Sequence, residues 1–218
     1  MANPLEAGLI ELGIAAGEQQ LEQLDGYRAL LLKWNNGTNL VSRRDIQRLV
    51  PRHLLDSVSV LPWVRGDRII DLGSGGGLPG LPIAIMRPQA QVTLLERSEK
   101  KCRFLNACVR ELGLDNVQVI GLDAELYRPS ALNQTLVSRA VAPPAKIWAL
   151  GLHLLSRDGC MVLHTHIGAD DHADDPVGGN EEAVSTGLPA GVQRSHHSVA
   201  IPGLPTRHEV LILEETRY

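Results

Sequence analysis

At residues 68–72 the sequence Arg-Ile-Ile-Asp-Leu runs directly into Gly73-Ser74-Gly75-Gly76-Gly77-Leu78-Pro79-Gly80. An aliphatic run of that length reads as a strand, and glycines at its end let a ligand approach the backbone and the helix that follows. The pattern repeats downstream, where short aliphatic runs at 91–95, 117–120, 136–138 and 161–164 alternate with helical segments. Such alternation implies a parallel sheet covered by helices on both faces, so the predicted fold is α/β, doubly wound and Rossmann-like. Two more strands are expected at 192–199 and 209–213, joined by the tight loop Ile201-Pro202-Gly203-Leu204-Pro205.

Residues 1–65 lack strand patterns and read as an N-terminal helical cap, leaving 66–218 as the catalytic domain. Leu21, Leu24, Leu30, Leu31 and Trp34 fall near helical spacing, and Asn35-Asn36-Gly37 is expected to stop that run. Ser42 with Asp45 resembles a capping box, and Pro51 opens a short helix carrying Arg52, His53 and Asp56. The clearest helix is capped by Ser98, buries Cys102, Leu105, Val109 and Leu112, and closes at Gly113.

With 218 residues the chain allows one sizeable core plus an appendage. Cys102, Cys108 and Cys160 have neither zinc-site spacing nor disulfide density, which points to a reducing compartment, here the cytoplasm. The first twenty residues carry Glu6, Glu11 and Glu18 and do not read as a signal peptide, and no apolar run is long enough for a membrane span. A net charge of −4 argues against a nucleic-acid partner until its distribution is considered. Residues 168–191 hold six acids and no Lys or Arg, so removing them leaves a body of net charge +2 beside an acidic loop expected to be mobile.

The ligand at the glycine turn does not read as a dinucleotide. The literal G-x-G-x-x-G, Gly75 to Gly80, starts four residues past Asp71 and has a proline where a phosphate-binding helix should begin. A carboxylate at the strand end repels pyrophosphate and attracts an ammonium or sulfonium, both of which S-adenosylmethionine carries. Glu96 ends the second strand, where an acid accepts ribose hydroxyls, and Asp123-Ala124-Glu125 follows the third, where a side chain and a backbone amide can hold adenine. The histidines His164, His166, His172, His196 and His197 have no carboxylate or cysteine at recurring ligand spacing, so no metal is expected.

Several of these motifs together resemble one family. They are Asn39-Leu40-Val41-Ser42, Arg52-His53-Leu54-Leu55-Asp56-Ser57, the Leu78-Pro79-Gly80-Leu81-Pro82 turn, Leu95-Glu96-Arg97-Ser98 with Lys100-Lys101-Cys102-Arg103-Phe104-Leu105, Ser138-Arg139-Ala140 and Arg207-His208. The sequence is similar here to the bacterial 16S ribosomal RNA guanine-N7 methyltransferase family, over about residues 25–165 and 200–213. The resemblance implies a class I fold dependent on S-adenosylmethionine, acting on a decoding-region guanine of 16S ribosomal RNA or the small ribosomal subunit; a monomer is expected. With the strand-end reading above, it gives cofactor contacts at Asp71, Gly73, Gly75, Leu78, Glu96, Asp123, Ala124, Glu125 and Arg139. It also implies RNA contacts at Lys100, Lys101, Arg103 and Arg207. One position departs from the family: Thr165 stands where a lysine is expected after the fifth strand.

Guanine N7 offers an unprotonated lone pair, so positioning is expected to dominate catalysis, with Arg139 as the orienting catalytic residue. Other readings stay open at this level. Arg52 and Asp56, at i and i+4, can form an exposed ion pair, His53 can pack the cap on the sheet, and the Lys100–Arg103 cluster can be a solvated helix face. Base stacking is limited to Trp34, Trp63, Trp148 or Tyr127. A methyltransferase for a small molecule and a non-catalytic ribosome-assembly binder are the alternative functions.

Overall fold

A computed structural model describes residues 3–139, 141–165 and 187–216. Strands β1 (Arg68–Leu72), β2 (Gln91–Leu95), β3 (Val117–Ile120), β4 (Asn133–Arg139), β5 (Leu155–Thr165), β6 (Val192–Ala200) and β7 (Arg207–Glu215) form one sheet in the order β3-β2-β1-β4-β5-β7-β6. β1 to β5 are parallel, and β7 runs antiparallel to both β5 and β6. The order reverses between β1 and β4, and in doubly wound sheets a ligand crevice opens at the carboxyl ends of the strands at that point.

The five parallel strands match the aliphatic runs, but β4 and β5 begin earlier than expected. Asn133, Gln134 and Thr135, and likewise Ser156 to Gly159, are polar and hide the first part of each strand from a hydrophobicity reading. Helix α5 (Glu99–Leu112) ends at Gly113 in the left-handed conformation (φ 62°), as expected, while Ser98 occupies its N-cap without a side-chain bond.

The N-terminal helices share the core of the sheet. Helix α1 (Pro4–Glu11) places Leu5 and Leu9, and α2 (Glu18–Thr38) places Leu24, Tyr27 and Leu31, in one buried cluster with Ile69, Val92 and Leu94 of the sheet and Phe104 of α5. α2 runs through Asn35-Asn36-Gly37 and stops only at Asn39, in the left-handed conformation. Asn35 explains this, because its side chain turns inward to accept from the Leu40 and Val41 amides and donate to the Val41 carbonyl. Next come a 3-10 helix (Arg43–Arg48), a π-helix (Val50–Leu55) and the short α3 (Asp56–Val58). Ser42 caps the first through the Asp45 amide, but its hydroxyl, not its backbone, meets the Asp45 carboxylate, which is half of a capping box. On the sheet's other face, α6 (Pro144–Gly151) buries Ile147 and Trp148 against Ile70, Leu136 and Met161. The acidic stretch 168–186, with His166 and His172, lies outside the described residues, as does Ala140.

Candidate cofactor cleft and RNA-facing rim

The β1 strand ends where the chain turns through Gly73 at φ 74°, and a Cβ there would sit 2.6 Å from the Val141 Cγ2. A side chain at 73 would be strained and would fill the space above the strand ends. The turn closes on Gly80, the first residue of α4 (Gly80–Met86), where a Cβ would lie 2.6 Å from the Asp71 carboxylate.

Two carboxylates hold this turn. Asp71 is fully buried, and its Oδ2 accepts from the Gly80 amide at 3.0 Å, while the Ser74 hydroxyl donates to the Asp71 carbonyl. Burial pushes its pKa up to about 7, against the lowering effect of the Gly80 and Ser74 hydrogen bonds. Glu96 accepts from the Gly75 amide through Oε2 at 2.9 Å and from the Ser98 amide through Oε1 at 2.8 Å. Each Glu96 oxygen keeps a lone pair for a ligand hydroxyl. The cap contributes a third support, since the Tyr27 hydroxyl, buried under α2, donates to the Gly76 carbonyl.

Above the turn lies a cleft of about 510 Å³. Of the residues expected at a cofactor, Gly73, Gly75, Leu78, Glu96, Asp123, Ala124, Glu125 and Arg139 line it, and so does Lys101. Asp71 does not line it. Its Oδ1 is buried without a hydrogen-bond partner among the described residues, while Oδ2 supports the start of α4 through the Gly80 amide. That contact also explains why the literal G-x-G-x-x-G fails as a phosphate site: the Gly80 amide points at an acid. The proposed stacking residues are elsewhere: Trp34 packs on Phe104, Trp63 on His197, and Trp148 in the core below α6. The apolar part of the cleft wall is aliphatic instead, with Leu40, Leu72, Leu122, Val141 and Leu150. Sequence reading missed these, and also Lys146, whose only signal is its place one turn into the helix after β4.

Arg139 lines the cleft, but its guanidinium turns toward the cap. Nη1 donates to Asp56 Oδ2 at 2.8 Å and to the Arg52 carbonyl, and Nη2 meets His53 Nδ1. Asp56 is fully buried and also takes His208 Nδ1 on Oδ1 at 2.6 Å, while His164 Nε2 donates to its carbonyl. Burial alone would raise the Asp56 pKa, but His164, His208 and Arg139 outweigh it and hold the carboxyl well below the usual range. Burial in turn lowers the pKa of His164, against the raising effect of the Asp56 carboxylate. The exposed Arg52–Asp56 pair weighed from spacing is therefore replaced by a buried junction, and Arg52 Nε reaches Asp45 at 3.0 Å.

The four RNA candidates are placed differently. Lys100 is exposed on the first turn of α5, beside Lys101 at the cleft. Arg103 pairs with Glu99 one turn back. Arg207 starts β7 at the same sheet edge, four strands from β2 and so roughly 20 Å across, with its guanidinium on Ser198. Thr165 ends β5 and donates to the Glu209 carbonyl.

Sheet order and a cleft at its switch point define the doubly wound fold of S-adenosylmethionine-dependent methyltransferases. A solved example from Aquifex aeolicus superposes with a TM-score of 0.58 over 73% of this chain and 90% of that one, at 17% identity. The family model "rRNA small subunit methyltransferase G" matches residues 20–175. A ribosomal RNA small subunit methyltransferase G from Marinobacter nauticus is 41% identical over 96% of this chain and 92% of its own length. One from Pseudomonas syringae is 38% identical over 99% and 95%. The chain belongs to the rRNA small subunit methyltransferase G family.

Proposed function

We propose that this chain, as a cytoplasmic monomer, transfers a methyl group from S-adenosylmethionine to guanine N7 in small-subunit ribosomal RNA. The observation that carries the reading is the convergence of Gly73, Leu78, Glu96, Asp123, Ala124, Glu125 and Arg139 on one cleft at the sheet's switch point. The donor set fits the cofactor: Glu96 keeps lone pairs for ribose hydroxyls, Asp123 to Glu125 offer an acid and backbone amides, and the missing Cβ of Gly73 leaves room above the strand. Bound there, S-adenosylmethionine supplies an electrophilic methyl group on a sulfonium.

The protein's part is orientation. Glu96, clamped by two amides, fixes one wall, and the aliphatic side chains of Leu40, Leu122 and Val141 exclude water and accept flat bases. Arg139 lines the cleft with its guanidinium tied to Asp56, which joins that wall to the cap. Among the described lining residues there is no histidine, cysteine or tyrosine, and attack by an N7 lone pair requires no proton to be removed. Holding the lone pair and methyl carbon in line contributes about 7 to 11 kcal/mol to such a reaction. Nucleoside mass spectrometry of 16S ribosomal RNA from cells lacking the gene tests the reading. Loss of one 7-methylguanosine, restored by the intact gene, is expected, and an unchanged nucleoside profile refutes it.

A further inference from the structure

Residues 43–52 of the cap carry Arg43, Arg44, Arg48 and Arg52 against a single acid, Asp45. That acid is fully engaged within the segment. Asp45 Oδ1 lies 3.1 Å from Arg48 Nη2 and 3.0 Å from Arg52 Nε, and Oδ2 accepts from the Ser42 hydroxyl at 2.7 Å with His53 Nε2 at 3.8 Å. Arg43 and Arg44 are left exposed on the first turn, with no ion pair among the described residues.

The segment sits at the mouth of the cleft because both its flanks touch cleft-lining groups. Leu40, three residues before Arg43, lines the cleft and packs over the Gly76 backbone. On the other flank Asp45 adjoins His53, and His53 meets Arg139, also in the lining. Around the rim Asp123 is matched by Arg97 and Glu99 by Arg103, which leaves Glu125 as the exposed acid of the cleft lining with no ion pair among the described residues. Lys101 stands on the opposite side of the glycine turn, its Nζ 4.0 Å from the Cβ position of Gly75. The surplus charge at the rim is positive, and two of its members are arginines, whose planar forks match phosphate oxygens.

We propose that Arg43 and Arg44 form an RNA-docking surface that grips the phosphodiester backbone on the cap side of the cleft while Lys101 faces it from α5. This rests on the proposed RNA substrate. The short helix is clamped by Asp45 and Ser42, so the two exposed arginines stand on an already ordered backbone and little order has to be imposed on the main chain when RNA docks.

The test compares wild type with the double variant Arg43→Ala/Arg44→Ala and the charge-matched control Arg68→Ala/Arg110→Ala. The control residues are exposed at the start of β1 and the last turn of α5, on the opposite edge of the sheet. Filter binding of a 16S ribosomal RNA transcript and of small subunits lacking the modification is measured against salt, with methyl transfer and cofactor calorimetry alongside. The cap-side variant is expected to bind RNA at least about tenfold more weakly and to flatten the salt slope by roughly 1.4 to 1.8 units for two lost phosphate contacts. Its cofactor affinity and its rate at saturating RNA should match wild type, and the control should match wild type throughout. Equal RNA affinity and slope in wild type and the cap-side variant, or an equal loss in the control, overturns the proposal. So does a loss seen with assembled subunits and not with naked RNA, which would assign the surface to a ribosomal protein. Wild type that binds RNA and transfers nothing to it would instead refute the enzymatic reading, and the binding comparison would still decide the surface.

Discussion

Asp71 and Asp56 are both fully buried carboxylates, and their surroundings push them in opposite directions. Asp71 has amide and hydroxyl partners but is dominated by burial, so its pKa rises to about 7. A carboxyl raised in the folded state contributes stability that is complete below its unfolded pKa and is lost as pH rises through the folded value. Asp71→Asn keeps an acceptor for the Gly80 amide and removes the titration. Chemical denaturation should therefore show the stability difference moving in favour of the variant by roughly 2 to 3 kcal/mol between pH 5 and pH 8. A pH-independent difference would mean that Asp71 is ionised throughout. Asp56 has the reverse sign: held low by His164, His208 and Arg139, it contributes stability above the ordinary carboxylate range that disappears as pH falls. Asp56→Ala strands the Arg139 and His208 groups and should cost about 3 to 5 kcal/mol by denaturant unfolding at neutral pH. A loss under 1 kcal/mol would show that the junction contributes little.

At the scale of elements, the glycine turn is supported by α2 as well as by the sheet. Tyr27→Phe removes only the hydroxyl bonded to the Gly76 carbonyl, so it should destabilise the protein by about 1 to 2 kcal/mol and weaken S-adenosylmethionine binding in calorimetry. Full retention of cofactor affinity would separate the cap from the cleft. Gly73→Val puts a branched side chain against Val141 and should abolish that binding while leaving the sheet folded by circular dichroism. The strands and the turn were legible because buried parallel strands are aliphatic and glycine marks a special backbone. The supports were not: Tyr27 is 49 residues from Gly76, and Asp56 is 83 from Arg139 and 152 from His208. Periodicity reports which face an element buries, and it carries no information about a distant polar partner. For the same reason Arg52 and Asp56 suggested an exposed helical pair, although the fold had buried one of them.

For the whole molecule, the shared core of α1, α2 and the sheet implies that cap and catalytic domain unfold together. A single calorimetric transition is expected, and residues 66–218 alone should fail to give a soluble folded protein, since removing the cap uncovers Ile69, Val92 and Leu94 on one sheet face. Two separated transitions would make the cap an independent unit. The central claim is that the cleft at the β1–β4 switch point directs a methyl group to guanine N7. Incubating the purified protein with S-adenosylmethionine labelled in the methyl group and unmodified 16S ribosomal RNA, then cleaving the RNA chemically at 7-methylguanosine, tests it most directly. The account predicts label in RNA and cleavage at one guanine, both lost with Gly73→Val. Label that enters RNA without creating a cleavable 7-methylguanosine, or no label in RNA at all, would contradict it.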